Sequence, residues 1–128
     1  MKDIYIQGSR DVYIVPTVKF LAKQGSCEIS GESFLEETIK FYQPLFEWLR
    51  EFTAEIRKPI TFNVKLTYFN TSTSKCILTL LGILKKFEDD GGEVTVNWFY
   101  DEDDEDMKDD IEDYVVDSGM KINLIPLD

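Results

Sequence analysis

The stretch Ile60-Thr61-Phe62-Asn63-Val64-Lys65-Leu66-Thr67-Tyr68-Phe69-Asn70-Thr71-Ser72-Thr73-Ser74-Lys75 changes its period once, and that change decides the fold. Ile60, Phe62, Val64, Leu66 and Tyr68 alternate with Thr61, Asn63, Lys65 and Thr67. A period of two puts one set on a buried face of a strand and the other on a wet face. Beyond Asn70, Ile77, Leu80, Leu81, Leu84 and Phe87 recur at helical spacing until Gly91-Gly92 stops them. The stretch is therefore a strand, a short polar turn and the start of a helix.

The same alternation of elements extends in both directions. Val94 to Tyr100 reads as the next strand, with Val94, Val96 and Trp98 facing one way. An acidic run then leads into a helix over Glu105 to Val116 and a last strand over Lys121 to Leu127. Upstream, Ser33-Phe34-Leu35-Glu36 fits a capping box, followed by Leu35, Ile39, Tyr42, Phe46, Leu49, Phe52 and Ile56 as an apolar helical stripe. Pro44 falls inside that stripe, so the helix either kinks there or becomes regular only near Phe41; Pro59 blocks its continuation. Thr17 to Leu21 and Cys27 to Ser30 read as a hairpin closed by Gly31, and Ile4-Tyr5-Ile6 as a short edge strand. Strand-helix-strand repeats imply parallel neighbours joined by right-handed crossovers, and the hairpin adds antiparallel pairing. The expected architecture is α/β: a single two-layer domain over residues 1–128, a mixed β-sheet with helices mainly on one face.

A chain of 128 residues, 43% of them hydrophobic, is long enough to bury a substantial core. The absence of histidine excludes a histidine triad, base or metal ligand. Cys27 and Cys76 lie in apolar strings and read as small core residues, too few for a disulfide framework. The first residues carry no long apolar run, so neither a signal peptide nor a membrane span is expected and the location is read as cytoplasmic. The net charge of -11 disfavours nucleic acid and anionic membrane as partners. Fifteen acids against Lys108 alone fall between Glu88 and Asp117, leaving ten acids and thirteen bases elsewhere. This acidic pole suits a basic protein partner, and equally suits simple solvation.

Four consecutive hydroxyls, Thr71, Ser72, Thr73 and Ser74, precede Lys75 in the turn. Capping a helix needs one such residue or two. A helix N-terminus also offers free amide donors and the positive end of the dipole, a setting that holds a phosphoryl group. Asn70, Ser72, Thr73, Ser74 and Lys75 are then candidate phosphate neighbours or partner contacts, with Lys75 lending a cation. Ser72-Thr73-Ser74-Lys75 also fits the Ser-x-x-Lys pattern of serine acyl-enzymes, but no Ser-Asp-Asn or Lys-Thr-Gly follows. Asn70-Thr71-Ser72 is a glycosylation sequon without meaning in an unsecreted chain. The run from Asp101 to Asp106 has oxygen ligands for Ca²⁺ or Mg²⁺ but lacks the central glycine of an EF-hand loop. No catalytic residue, cofactor or metal site is assigned.

Phe41-Tyr42-Gln43-Pro44-Leu45, Tyr68 through Cys76, and Val94 through Tyr100 with its acidic sequel resemble the SiaC family of bacterial regulatory phosphoproteins, as do Ile4 through Gly8 and Glu28 through Gly31. The resemblance implies a fold similar to the anti-sigma-factor antagonists, that is, STAS-like. It also implies phosphorylation of the threonine after the strand-end asparagine, here Thr71, with Ser72 as second candidate. A serine/threonine protein kinase would add the phosphate and a PP2C-type phosphatase would remove it. The unmodified form would bind and activate a diguanylate cyclase, raising cyclic diguanylate and favouring biofilm formation. The alternative function is an acidic interaction scaffold, independent of phosphorylation, that works through Trp98 to Tyr100 and Asp101 to Asp106.

Overall fold

The computed structural model describes residues 1–127. In chain order the elements are β1 (Ile4–Ile6), β2 (Ser9–Arg10), β3 (Ile14–Val15), β4 (Thr17–Leu21), β5 (Ser26–Ser33), α1 (Thr38–Glu51), β6 (Ile60–Phe69), α2 (Thr71–Asp89), β7 (Val94–Asp101), α3 (Glu105–Ser118) and β8 (Asn123–Leu127). A π-helical turn, Phe52–Ile56, extends α1. Six strands form one sheet in the order β1-β4-β5-β6-β7-β8, and β2 pairs with β3 apart from it. The pairs β1–β4 and β4–β5 are antiparallel; the other three are parallel.

Each crossover from β5 to β8 moves one strand further in the same direction. Right-handed connections of that kind place all three helices on one face. Phe20, Cys27, Ile29, Phe62, Val64, Leu66, Val96 and Trp98 bury that face against Tyr42, Leu45, Leu49, Ile77, Leu80, Leu84 and Ile111. The opposite face is polar. There Asn97 donates to Asn63 and accepts from Asn123, both at 2.9 Å, tying three parallel strands side by side. Both cysteines are buried and unpaired, as expected of small core residues.

The structure corrects the sequence reading at several points. Gly31 does not close the hairpin: β5 runs on to Ser33, and the register slips between Gly31 and Glu32, which face Leu66 and Tyr68. Thr67 is the extra residue, so the alternation reverses beyond it. Tyr68, expected inside, is 49% exposed, while Phe69 turns inward and packs its tilted ring against Trp98 and Tyr114. Ser33 is not a helix cap either; it ends β5 opposite Phe69, and α1 starts five residues later with no side-chain cap. Ile39 and Ile56 lie on the exposed side of the stripe. The regular helix begins at Thr38 rather than near Phe41, with Pro44 inside it. Pro44 and Lys40 are both exposed, so water can serve the Lys40 carbonyl that proline deprives of a donor. The last strand starts at Asn123 rather than Lys121, because its pairing with β7 begins at Asn123 opposite Asn97.

Gly25 fastens the hairpin turn to the start of β6: its carbonyl accepts from the Thr61 amide at 2.8 Å. Its φ is +64°, and a Cβ would lie 2.3 Å from the Pro59 carbonyl oxygen. We expect Gly25→Ala to cost about 1–3 kcal/mol. Urea unfolding should show a lower midpoint at unchanged slope.

Candidate functional site

The turn after β6 sits where the strand ends and Asn70 takes the N-cap position of α2, in extended conformation. The Asn70 amide donates to the Ser33 carbonyl at 3.2 Å, anchoring the turn to the end of β5. Asn70 Oδ1 accepts from the Thr73 amide at 3.1 Å, the Thr73 hydroxyl at 2.8 Å and the Ser72 hydroxyl at 3.1 Å. These bonds satisfy the third amide of the helix and leave those of Thr71 and Ser72 without intrahelical partners.

The four hydroxyls differ in what they touch. Thr73 is fully buried, with its Oγ1 2.8 Å from Ser33 Oγ, which is in turn 3.0 Å from the Tyr42 hydroxyl. With Thr73 donating to Asn70, a consistent arrangement runs Tyr42 to Ser33 to Thr73 to Asn70, each hydroxyl donating to the next. Such chains polarise one another in a dry interior. Ser72 Oγ lies 2.7 Å from Thr38 Oγ1, at the start of α1. Ser74 Oγ lies 2.6 Å from the Tyr114 hydroxyl, on α3. The Thr71 hydroxyl is exposed and has no side-chain hydrogen bond among the described residues.

Lys75 is exposed one turn on and borders a cleft of about 240 Å³ with Ile39, Phe46, Ser72, Cys76 and Thr79. It forms no ion pair among the described residues. Sequence reasoning thus found the turn but missed the groups that fix it: Ser33, Thr38, Tyr42 and Tyr114. A hydroxyl at an apolar helical position, as with Tyr42 and Tyr114, is the signal that could have found two of them.

Beyond the turn, α3 begins with Asp104 accepting from the Met107 amide at 3.0 Å, and Asp101 accepts from the Asp103 amide at 2.9 Å. Part of the acidic run therefore shapes its own loop. Asp110 is pushed up by partial burial and then by the carboxylates of Asp113, Asp106, Asp104 and Asp109. Among the described residues no group of three or more His, Cys, Asp or Glu is placed to hold a metal ion. None of the described helices is long and apolar enough to cross a membrane.

Comparison with known proteins assigns the family. A model of the SiaC family of regulatory phosphoproteins matches residues 10–127. The chain belongs to that family. It is 26% identical over 101 residues to an uncharacterized protein of Pseudomonas aeruginosa strain UCBPP-PA14, covering 79% of this chain and 78% of the relative. The crystal structure of apo-SiaC from Pseudomonas aeruginosa superposes with a TM-score of 0.87 at 22% identity, covering 98% of this chain and 99% of the other. SiaC in complex with the diguanylate cyclase SiaD, which it activates, superposes at 0.90 with 22% identity, covering 98% and 100%. The fold is thus that of SiaC, STAS-like as expected, and membership of this family makes the chain a regulatory phosphoprotein rather than an enzyme.

Two predictions follow from the buried hydroxyls. Ser33→Ala strands the Tyr42 hydroxyl in the core and should cost about 1–3 kcal/mol, whereas Tyr42→Phe removes only the outer end of the chain and should cost about 1 kcal/mol. Urea titration of the two variants should rank them in that order. Burial pushes the Tyr114 phenol from its ordinary 10.0 up to about 12, against the lowering effect of its bond to Ser74. Above pH 10 the unfolded chain loses that proton while the folded chain keeps it, so stability falls as pH rises from 10 to about 12. Tyr114→Phe should flatten that part of the stability–pH curve.

Proposed function

We propose that this chain is a phosphorylation-controlled partner-switching protein whose switch is Thr71. The observation that supports this is the difference among the four hydroxyls: Ser72, Thr73 and Ser74 are engaged with α1, β5 and α3, and Thr71 alone stands exposed and unengaged. A kinase can reach it without breaking a bond of the fold. Phosphorylation at Ser72 would break its link to Thr38, which makes it the second choice.

A phosphoryl group on Thr71 would add about -1.5 to -2 charges at the N-terminal end of α2. The free amides of the first turn and the positive end of the dipole favour it there. Lys75 lies four residues on, on the same side of the helix, and would supply a cation. Charge and shape then change at one corner while the core stays as it is. In this reading a serine/threonine protein kinase and a PP2C-type phosphatase set the state of Thr71. The unmodified form, acting in the cytoplasm as one domain over residues 1–128, binds and activates a diguanylate cyclase. The relative crystallised with SiaD, whose activator it is, supports a cyclase as the partner.

Co-expression with a serine/threonine kinase of the same genome, followed by phosphopeptide mapping, should place the phosphate on Thr71. A pull-down with a SiaD-type cyclase of that genome should succeed with Thr71→Ala and lose at least tenfold with Thr71→Glu. Equal capture by both variants, together with loss on neutralising Asp101 to Asp106, would instead favour the acidic scaffold.

A further inference from the structure

Three aromatic side chains stand in a row beside the Thr71 turn, and none of them serves the core. Tyr13 stacks on Phe34 at 6.0 Å between ring centroids, and Phe34 meets Tyr68 at 6.4 Å. They come from three separate segments: the loop of the β2–β3 hairpin, the residue after β5, and the end of β6. Tyr13 is 39% exposed, Phe34 38% and Tyr68 49%, with Val12 beside Tyr13 at 78%. Backbone geometry holds this ladder in place. Ile14 and Phe34 exchange both N–H···O bonds, at 2.8 and 2.9 Å, and the bulge at Thr67 turns Tyr68 outward.

At its Tyr68 end the ladder runs into a cleft of about 320 Å³. Its apolar wall includes Phe69 and Met107, and its rim carries the carboxylates of Asp104, Asp106 and Asp110. No lysine or arginine lines this cleft, and none of the three carboxylates forms an ion pair among the described residues. Contiguous exposed apolar surface is uncommon on a soluble monomer and marks contact sites. The uncompensated acids beside it select the sign of the partner.

We propose that the ladder of Tyr13, Phe34 and Tyr68, with the acidic cleft it enters, docks a protein segment that bears a bulky apolar side chain next to a lysine or arginine. The apolar group lies on the aromatic rings, and the cation enters the cleft between the Tyr68 ring and the carboxylates. Its control by phosphate rests on Thr71 being the switch and deepens that reading. A phosphate at Thr71 does not repel a cation, so the block works by bringing a strongly hydrated group to the edge of an apolar contact. The block should therefore persist at high salt, whereas binding of the unmodified chain should weaken as salt screens the cleft.

The test uses the full chain and a SiaD-type diguanylate cyclase of the same genome, titrated calorimetrically at two salt concentrations. Tyr68→Ser and Phe34→Ser should each weaken binding at least tenfold, with Tyr68→Phe retaining it. The double variant Asp106→Asn with Asp110→Asn should weaken binding and flatten its salt dependence. Val116→Ser, at an even more exposed apolar residue at the far end of α3, should bind as wild type. All variants should keep the wild-type circular dichroism and accept phosphate on Thr71 at the wild-type rate. If the ladder variants bind normally while Thr71→Glu does not, the docking surface is refuted and the switch stands. If Thr71→Glu binds as well as wild type while the ladder variants do not, the switch is refuted and the docking surface stands; if all of them bind as wild type, both are refuted. If the acid variants keep the wild-type salt dependence, the basic character of the partner is refuted.

Discussion

Asn70 Oδ1 receives the Thr73 amide, the Thr73 hydroxyl and the Ser72 hydroxyl, and the shape of the regulatory corner depends on that one atom. Through Thr73 it is joined to Ser33 and Tyr42, and through Ser72 to Thr38. The start of α2 is thereby fixed to the end of β5 and the first half of α1. A separate bond from Ser74 to Tyr114 adds α3. The buried members of this network have no water to turn to, so breaking one link exposes the full cost of an unpaired polar group. These bonds tie the residues after Thr71 to β5, α1 and α3.

In the proposed reading, this presentation would let a single phosphate on Thr71 act as a switch in so small a domain. A phosphate there would have nothing to unfold, and its effect would be confined to the surface it joins. That surface combines the positive end of α2, an exposed aromatic ladder and the acidic start of α3. Placing both attractive and hydrated elements within one corner would let modification change the affinity of a contact while the sheet and core stay unchanged.

Much of the architecture was legible in the chain. The strand over Ile60 to Phe69 has the bounds that its alternation indicates, and α2 and β7 end within a residue or two of their sequence signals. These elements have strong local periods, so tertiary contacts did not need to override them. The misread features depend on distant partners. The Thr67 bulge exists because Gly31 and Glu32 sit opposite Leu66 and Tyr68, and no local pattern contains that register. Ser33 looked like a cap because Ser-x-x-Glu is short, while its role is set by Thr73, forty residues away. The four hydroxyls of the turn were equivalent in sequence for the same reason: only Thr38, Ser33 and Tyr114 tell them apart.

The central claim is that Thr71 can carry a phosphate without disturbing the hydroxyl network beneath it. Amide NMR spectra of the unmodified and the Thr71-phosphorylated chain test this directly. The account predicts shift changes confined to residues 68–75 and the neighbouring aromatic ladder, with Ser33, Tyr42 and the rest of the sheet unmoved. Changes spread through β5, α1 and the core, or loss of the α2 resonances, would contradict it.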